Sequence, residues 1–98
     1  MNDQQDLGKI HRRMKTLQKS IGRIGPVMRG SIVIIGTRNK QPYFSLNKDG
    51  KTRLIYLGEK RQPLAKQYVK NFKRLQEIIE EMTELNMILL KRDYDQNP

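Results

Sequence analysis

The side chains with the greatest capacity for catalysis in this sequence are a single histidine and a block of glutamates. His11 has no cysteine and no pair of carboxylates near it in the sequence, so little supports a catalytic or metal-binding role. The glutamates follow basic residues on one predicted helix, which is typical of a solvated helix face; they are Glu77, Glu80, Glu81 and Glu84. Neither a phosphate-binding glycine loop nor a nucleophile elbow is present. We therefore expect a protein that is not an enzyme and that needs no metal or cofactor.

Basic residues interleaved with tyrosines offer a different chemistry, the binding of nucleic acid. Lysine and arginine neutralise phosphates, and tyrosine stacks on bases or bonds the backbone. A two-stranded ribbon also fits the major groove of DNA, so we expect DNA to be favoured over RNA. The predicted nucleic-acid-binding residues are Arg12, Arg13, Lys19, Arg38, Lys40, Tyr43, Lys48, Lys51, Arg53, Tyr56, Lys60 and Arg61. The alternative is that the tyrosines form a cross-strand packing pair and that the lysines form an ordinary solvated surface.

The charge of the chain supports a polyanionic partner. The 98 residues carry a formal net charge of +10. Residues 1–31 hold seven Lys and Arg against two Asp and Glu, residues 32–62 hold the same numbers, and residues 63–98 hold six of each. The surplus therefore lies in the first two thirds of the chain, on the predicted first helix and sheet, and it raises the affinity for polyanions.

The composition also indicates the compartment and argues against a membrane partner. Cysteine is absent, so no disulfide framework exists and a reducing cytoplasm is the expected location. The longest apolar run, residues 32–35, is far shorter than the roughly 20 residues that span a bilayer. At this length we expect one domain over residues 1–98.

Two helices would position part of the basic surface. Apolar residues recur at a spacing of three or four and predict a first helix over residues 3–22; they are Leu7, Ile10, Met14, Leu17, Ile21 and Ile24. Pro63 is typical of a helix start and predicts a second helix over residues 63–92, followed by a frayed tail over residues 93–98. The expected apolar stripe of the second helix is Leu64, Tyr68, Phe72, Leu75, Ile79, Met82, Leu85 and Leu89.

The residues between the helices predict a sheet. We expect three strands, over residues 31–37, 42–47 and 52–57. Asp49–Gly50 between the last two strands is a strong hairpin signal, because a tight turn needs positive φ. A two-residue turn would place Phe44 opposite Ile55 and, on the other side of the sheet, Tyr43 opposite Tyr56. A three-residue loop would shift this register, and both remain open at this point.

These elements predict an α+β fold: an N-terminal helix, a three-stranded antiparallel sheet over residues 31–57, and a long C-terminal helix that packs on the sheet and on the first helix. At 1.5 Å per residue the last helix would be about 45 Å long, which exceeds a sheet of short strands. Part of it could instead pack as a coiled coil against a second copy, giving a homo-oligomer. A rival function is therefore a helical interaction or oligomerisation module that binds an acidic partner protein.

The sequence resembles a family of small prokaryotic domains that accompany transposase-like and other mobile-element proteins. Members of this family carry Gly-Ser-Leu-Val, Gly-Pro-Tyr and Asp-Gly-Lys-Thr motifs and a cysteine-rich insert. Residues 37–41 lead directly to Pro42 here, so the insert is absent and no zinc site is implied. The matching segments are residues 25–33, 42–46, 49–52, 56–57 and 71–75.

The resemblance implies an accessory role in a mobile-element or phage nucleoprotein complex, with a nuclease or recombinase as a partner. The order of three strands followed by a helix is also similar to the arm-type DNA-binding domain of phage integrases, whose sheet enters the major groove. That likeness is one of fold alone.

Overall fold

The computed structural model of the chain describes the backbone of residues 7–96 and the side chains of residues 7–93. The elements in chain order are α1 (Leu7–Arg23), β1 (Ser31–Ile35), β2 (Gln41–Lys48), β3 (Lys51–Tyr56) and α2 (Gly58–Gln96). The strands form one antiparallel sheet in the order β1-β2-β3. This arrangement confirms the predicted α+β fold.

The chain forms two compact units. The sheet unit is Gly25–Lys73, which contains the three strands and the first part of α2. The helical unit is Met1–Ile24 together with Arg74–Pro98, which contains α1 and the rest of α2. Helix α2 therefore contributes residues to both units.

The core of the sheet unit lies between α2 and one face of the sheet. Phe44, Leu57 and Ala65 are buried there, and four half-buried residues pack against them: Met28, Ile32, Leu46 and Val69. The predicted stripe placed Leu64 at this position, but Leu64 is exposed. A stripe at helical spacing can include either of two adjacent positions. Which of Leu64 and Ala65 is buried therefore depends on the surface against which α2 packs.

The helical unit buries one apolar stripe of α1, as the spacing predicts. Ile10 and Leu17 are buried, and Ile78 of α2 is buried as well. The predicted stripe of α2 included Ile79 instead, and this residue is exposed. The stripe prediction is therefore wrong at Leu64 and Ile79 only, since its other six members are half-buried: Tyr68, Phe72, Leu75, Met82, Leu85 and Leu89.

The hairpin between β2 and β3 has the two-residue turn. Asp49 and Gly50 both have positive φ, 54° and 74°, which the favoured hairpin turn requires. Tyr43 accordingly pairs with Tyr56, and Phe44 pairs with Ile55. This confirms the first of the two registers that the sequence allows.

Helix α2 begins five residues before the predicted start. Gly58 has a φ of 65°, a conformation that glycine adopts readily, and it lets the chain pass from β3 directly into the helix. The amide of Leu57 donates to the Pro42 carbonyl at 3.0 Å, which anchors this junction to β2. Pro63 therefore lies inside the helix rather than at its start.

The far ends of the helices also differ from the prediction. Helix α2 continues through Gln96, because no glycine or proline interrupts it after Pro63. Of the predicted tail, residues 93–96 are therefore helical and residues 97–98 lie outside the described chain. The predicted start of the first helix, residues 3–6, also lies outside it. None of the helices described over residues 7–96 is long and apolar enough to cross a membrane.

Candidate nucleic-acid interface

The two units divide the charge unequally. The sheet unit holds eleven Lys and Arg against two Asp and Glu, whereas the helical unit holds nine against eight. The sheet unit therefore carries nine of the ten net positive charges. The sequence assigned half of the surplus to the first helix, but in the fold this helix shares a unit with the glutamate block of α2.

Arg13 shows how the charges of the helical unit are compensated. Its Nε and Nη2 donate to the two carboxylate oxygens of Glu81 at 2.5 and 2.8 Å. These hydrogen bonds, together with the charge of Arg13, hold the pKa of the Glu81 carboxyl below its ordinary value. The predicted contacts Arg12 and Lys19 are exposed in the same unit. All three thus belong to the helical unit, whereas the other nine predicted residues belong to the sheet unit.

The cations of the sheet unit are exposed and lack acidic partners. Every one of its eleven lysines and arginines is exposed. Within the described residues 7–93, none of the eleven forms an ion pair, since the two ion pairs present belong to the helical unit. Unpaired surface cations leave phosphates as favourable partners.

The sheet has one face that α2 does not cover. The packed face carries Phe44 and Ile55, and Arg53 projects from this face because strand residues alternate. None of the residues of the other face is buried. We call this second surface the open face, and it consists of Ser31, Val33, Ile35, Gln41, Tyr43, Ser45, Asn47, Thr52, Leu54 and Tyr56.

Hydrogen bonds and ring contacts hold the side chains of the open face in place. The rings of Tyr43 and Tyr56 meet edge to face with their centroids 5.5 Å apart. The Tyr56 hydroxyl donates to Gln41 Oε1 at 3.1 Å, and the Thr52 hydroxyl donates to Asn47 Oδ1 at 2.6 Å. The tyrosines thus form the packing pair that was the alternative interpretation. Each end of the face also presents an oriented amide, the group that pairs with adenine in the major groove.

Four predicted cations lie at or just beyond the two ends of β2, and none of them belongs to the open face; strand alternation places Lys48 and Lys51 on the packed face with Arg53. Arg38 and Lys40 are in the loop that precedes β2, and Lys48 and Lys51 flank the hairpin turn that follows it. Strand β2 has eight residues and spans about 25 Å. The two groups of cations are therefore farther apart than the roughly 12 Å width of the major groove.

The remaining predicted cations lie near the start of α2. Lys60 and Arg61 are exposed in its first turn, and Arg61 Nε donates to the Leu57 carbonyl at 3.2 Å. Since the Leu57 amide bonds to Pro42 at the start of β2, these cations are at the same end of the sheet as Lys40. They add to the positive charge at that end.

The sequence reasoning missed a group of lysines on α2. Lys66, Lys70 and Lys73 line a groove of about 370 Å³ between α2 and β1. Their spacing of four and three residues was a usable signal, because it places all three on one helix face. We call this feature the lysine groove, and its other lining residues are Gly30, Ser31, Ile32 and Val69.

His11 belongs to the helical unit. It lines a cavity of about 280 Å³ in the helical unit together with Leu7, Leu89, Arg92 and Asp93. No cluster of three or more metal-ligating side chains occurs within the described part of the chain. The chain matches no protein-family model, no curated protein and no solved structure. The assignment of the interface therefore rests on its own charges and contacts.

Proposed function

We propose that this is a non-enzymatic nucleic-acid-binding protein whose sheet unit binds duplex DNA through the open face. The observation that carries the proposal is the charge of the sheet unit: eleven exposed cations face only two acidic residues, and none of the cations is paired within the described structure. Bringing phosphates to such a surface releases counterions, which favours binding.

The geometry of the open face supports the major groove of DNA as the site of docking. Leu54 offers an apolar contact to base edges, and the amides of Gln41 and Asn47 offer bidentate hydrogen bonds to them. The cations beyond the two ends of β2 would reach the phosphates on either side of the groove. The deep and narrow major groove of A-form RNA does not admit a sheet, so DNA is the favoured ligand.

The biological setting that we propose comes from the resemblance described above. It is an accessory role in a mobile-element or phage nucleoprotein complex, beside a nuclease or recombinase. In such a complex the sheet unit would supply affinity for the DNA on which the partner acts.

Two adjacent residues of β3 provide a matched test of the docking face. Leu54 is on the open face and Ile55 is on the packed face, and their exposed fractions are similar at 49% and 53%. Leu54→Glu would place a carboxylate against the DNA, whereas Ile55→Glu would place it on the opposite side of the sheet. We expect Leu54→Glu to weaken binding to a 20-base-pair duplex about 10-fold or more, equivalent to about 1.4 kcal/mol.

Binding is measured by fluorescence anisotropy at low salt, with thermal unfolding of each variant as the control for folding. Ile55→Glu should bind within about twofold of the unsubstituted protein, a difference of less than about 0.5 kcal/mol. Equal losses in two folded variants, or a larger loss for Ile55→Glu, would show that the open face is not the docking surface. No measurable binding by the unsubstituted protein at low salt would refute DNA binding altogether.

A second candidate function, self-association or the binding of a partner helix, is favoured by one feature of the helical unit. Helix α2 exposes Ile79, Met87 and Leu90, with exposed fractions of 62% and 68% for the last two. Their helical spacing places them on one side of α2. This candidate predicts a mass that rises with concentration in analytical ultracentrifugation, or tight binding to an acidic protein without nucleic acid. A Met87→Lys substitution should abolish either behaviour.

A further inference from the structure

Most of the lysine groove lies on the α2 side of the sheet, and it meets the open face at Ser31, which belongs to both surfaces. Its floor includes Ile32 and Val69, which pack against the buried core that α2 forms with the packed face. The lysines project from α2 along the edge of β1. Apart from Ser31, the groove shares no residue with the open face, and its three lysines give the α2 side of the sheet a basic surface of its own.

The spacing of the three groove lysines along α2 matches the spacing of the phosphates in a nucleic-acid backbone. Lys66 and Lys73 are seven residues apart on α2, which corresponds to about 10 Å along the helix axis. The phosphates of one strand of a duplex recur at about 3.4 Å along its axis, so this length faces about three phosphates. None of the three lysines has an acidic partner within residues 7–93. Their charges are therefore available to an external polyanion.

The opposite wall of the groove adds a neutral donor and a close backbone approach. Ser31 is exposed and its hydroxyl makes no hydrogen bond within the described chain, so it can donate to a phosphate oxygen. Gly30 brings its backbone so near the core that an added Cβ would lie 2.5 Å from Phe44 Cζ. One wall of the groove is therefore formed by β1 and the residue before it, and the other wall carries the ammonium groups of the three lysines of α2.

We propose that the lysine groove binds the phosphodiester backbone of a second nucleic-acid segment, so that one sheet unit joins two segments. This inference rests on the proposed function for the first segment. A straight duplex docked on the open face meets the groove only at the β1 edge, where Ser31 lies, and would have to bend around that edge to follow the three lysines along α2. DNA with a persistence length of about 150 base pairs does not bend so sharply without a large energetic cost.

The test measures the joining of two duplexes by the full chain. Two 20-base-pair duplexes, one with a donor and one with an acceptor fluorophore, are mixed with the protein, and energy transfer reports bridging. The groove variant is Lys66→Gln/Lys70→Gln/Lys73→Gln. The control variant, Lys9→Gln/Lys15→Gln/Lys91→Gln, removes the same charge from exposed lysines of the helical unit. Anisotropy on a single duplex reports binding at the open face, and thermal unfolding reports folding.

The unsubstituted protein and the control variant are expected to bridge, and the groove variant is expected to bridge at least about 10-fold less while still binding one duplex. Three phosphate contacts give a salt slope of about −2.7, so the affinity of the groove should fall about 40-fold between 50 and 200 mM salt. Equal bridging by the groove and control variants would overturn the proposal, because it would place the joining contacts elsewhere.

Two further outcomes separate this inference from the proposed function. Single-duplex binding without any bridging by the unsubstituted protein would overturn the groove as a second site and leave the open face intact. Capture of fluorescent polyglutamate but not of DNA, abolished in the groove variant, would also overturn it and would indicate an acidic protein partner. Absence of single-duplex binding would overturn both proposals together.

Discussion

If the sheet unit binds DNA as proposed, the salt dependence of that binding is the most direct quantitative consequence of its charges. Lys40 and Lys48 lie at opposite ends of β2, one immediately before the strand and one at its last position. Both are exposed and neither forms an ion pair within the described chain. The double substitution Lys40→Gln/Lys48→Gln should therefore remove one phosphate contact on each side of the groove without disturbing the core.

The expected magnitude follows from the number of contacts. If the four cations that flank β2 each displace one counterion, the logarithm of the affinity falls with the logarithm of salt at a slope of about −3.6. Between 50 and 200 mM salt this is a loss of about 150-fold. The double variant retains two of the four contacts, so its slope should be about −1.8 and its loss over the same range about 12-fold.

The assay is anisotropy titration of one labelled duplex at several salt concentrations. The matched control is Lys9→Gln/Lys91→Gln, which changes the net charge equally but in the helical unit. Its slope should equal that of the unsubstituted protein. A slope that falls equally in both variants would mean that net charge, and not the placement of cations around the open face, governs binding. An unchanged slope in the Lys40→Gln/Lys48→Gln variant would refute the contacts themselves.

Two other predictions concern the stability of each unit. Gly30→Ala should lower the free energy of unfolding by about 2 kcal/mol or more, because its Cβ would collide with Phe44 at a φ of 153°. Gly22→Ala should not lower it, because no atom lies within 4 Å of the added Cβ. Chemical denaturation of both variants tests this prediction. The hydrogen bonds from Arg13 lower the pKa of the Glu81 carboxyl in the folded state, so the pair stabilises the fold above the unfolded-state pKa of about 4.3 and loses this effect as the pH falls through the folded-state pKa. The melting temperature of Glu81→Gln should then be lower than that of the unsubstituted protein at pH 7, and the difference should vanish near pH 2. A difference in melting temperature that does not change with pH would contradict this assignment.

Local signals in the sequence were sufficient for the order of the elements and for the presence of the hairpin, but they left open whether its turn has two or three residues. The turn residues Asp49 and Gly50 determine the register, and the register in turn determines that Tyr43 and Phe44 point to opposite faces. The stripe of α1 was predictable for a similar reason, since its spacing involves only neighbours along one helix. These features depend on residues that are close in the sequence.

The charge pattern was not predictable, because it depends on contacts between distant residues. The packing of the two helices was expected, but Arg13 and Glu81 are separated by 68 positions and nothing in either segment specifies that these two side chains meet. The lysine groove has the same origin: Lys66 and Lys70 belong to an ordinary solvated stripe until β1 is placed beside them. Arg53 was predicted on the same surface as the tyrosines, but its position opposite Leu46 puts it on the packed face.

Strand β1 has a consequence for how the protein behaves once it is freed of its ligand. It is an edge strand with the uncharged sequence Ser-Ile-Val-Ile-Ile, and Ile34 and Ile35 are exposed by 57% and 42%. Such an edge is a template for pairing with another chain. At low salt the repulsion between positively charged sheet units opposes this pairing, but salt that strips away nucleic acid also screens the repulsion. Under the proposed function, the ionic strength that would release the protein from DNA is therefore expected to promote its aggregation through β1.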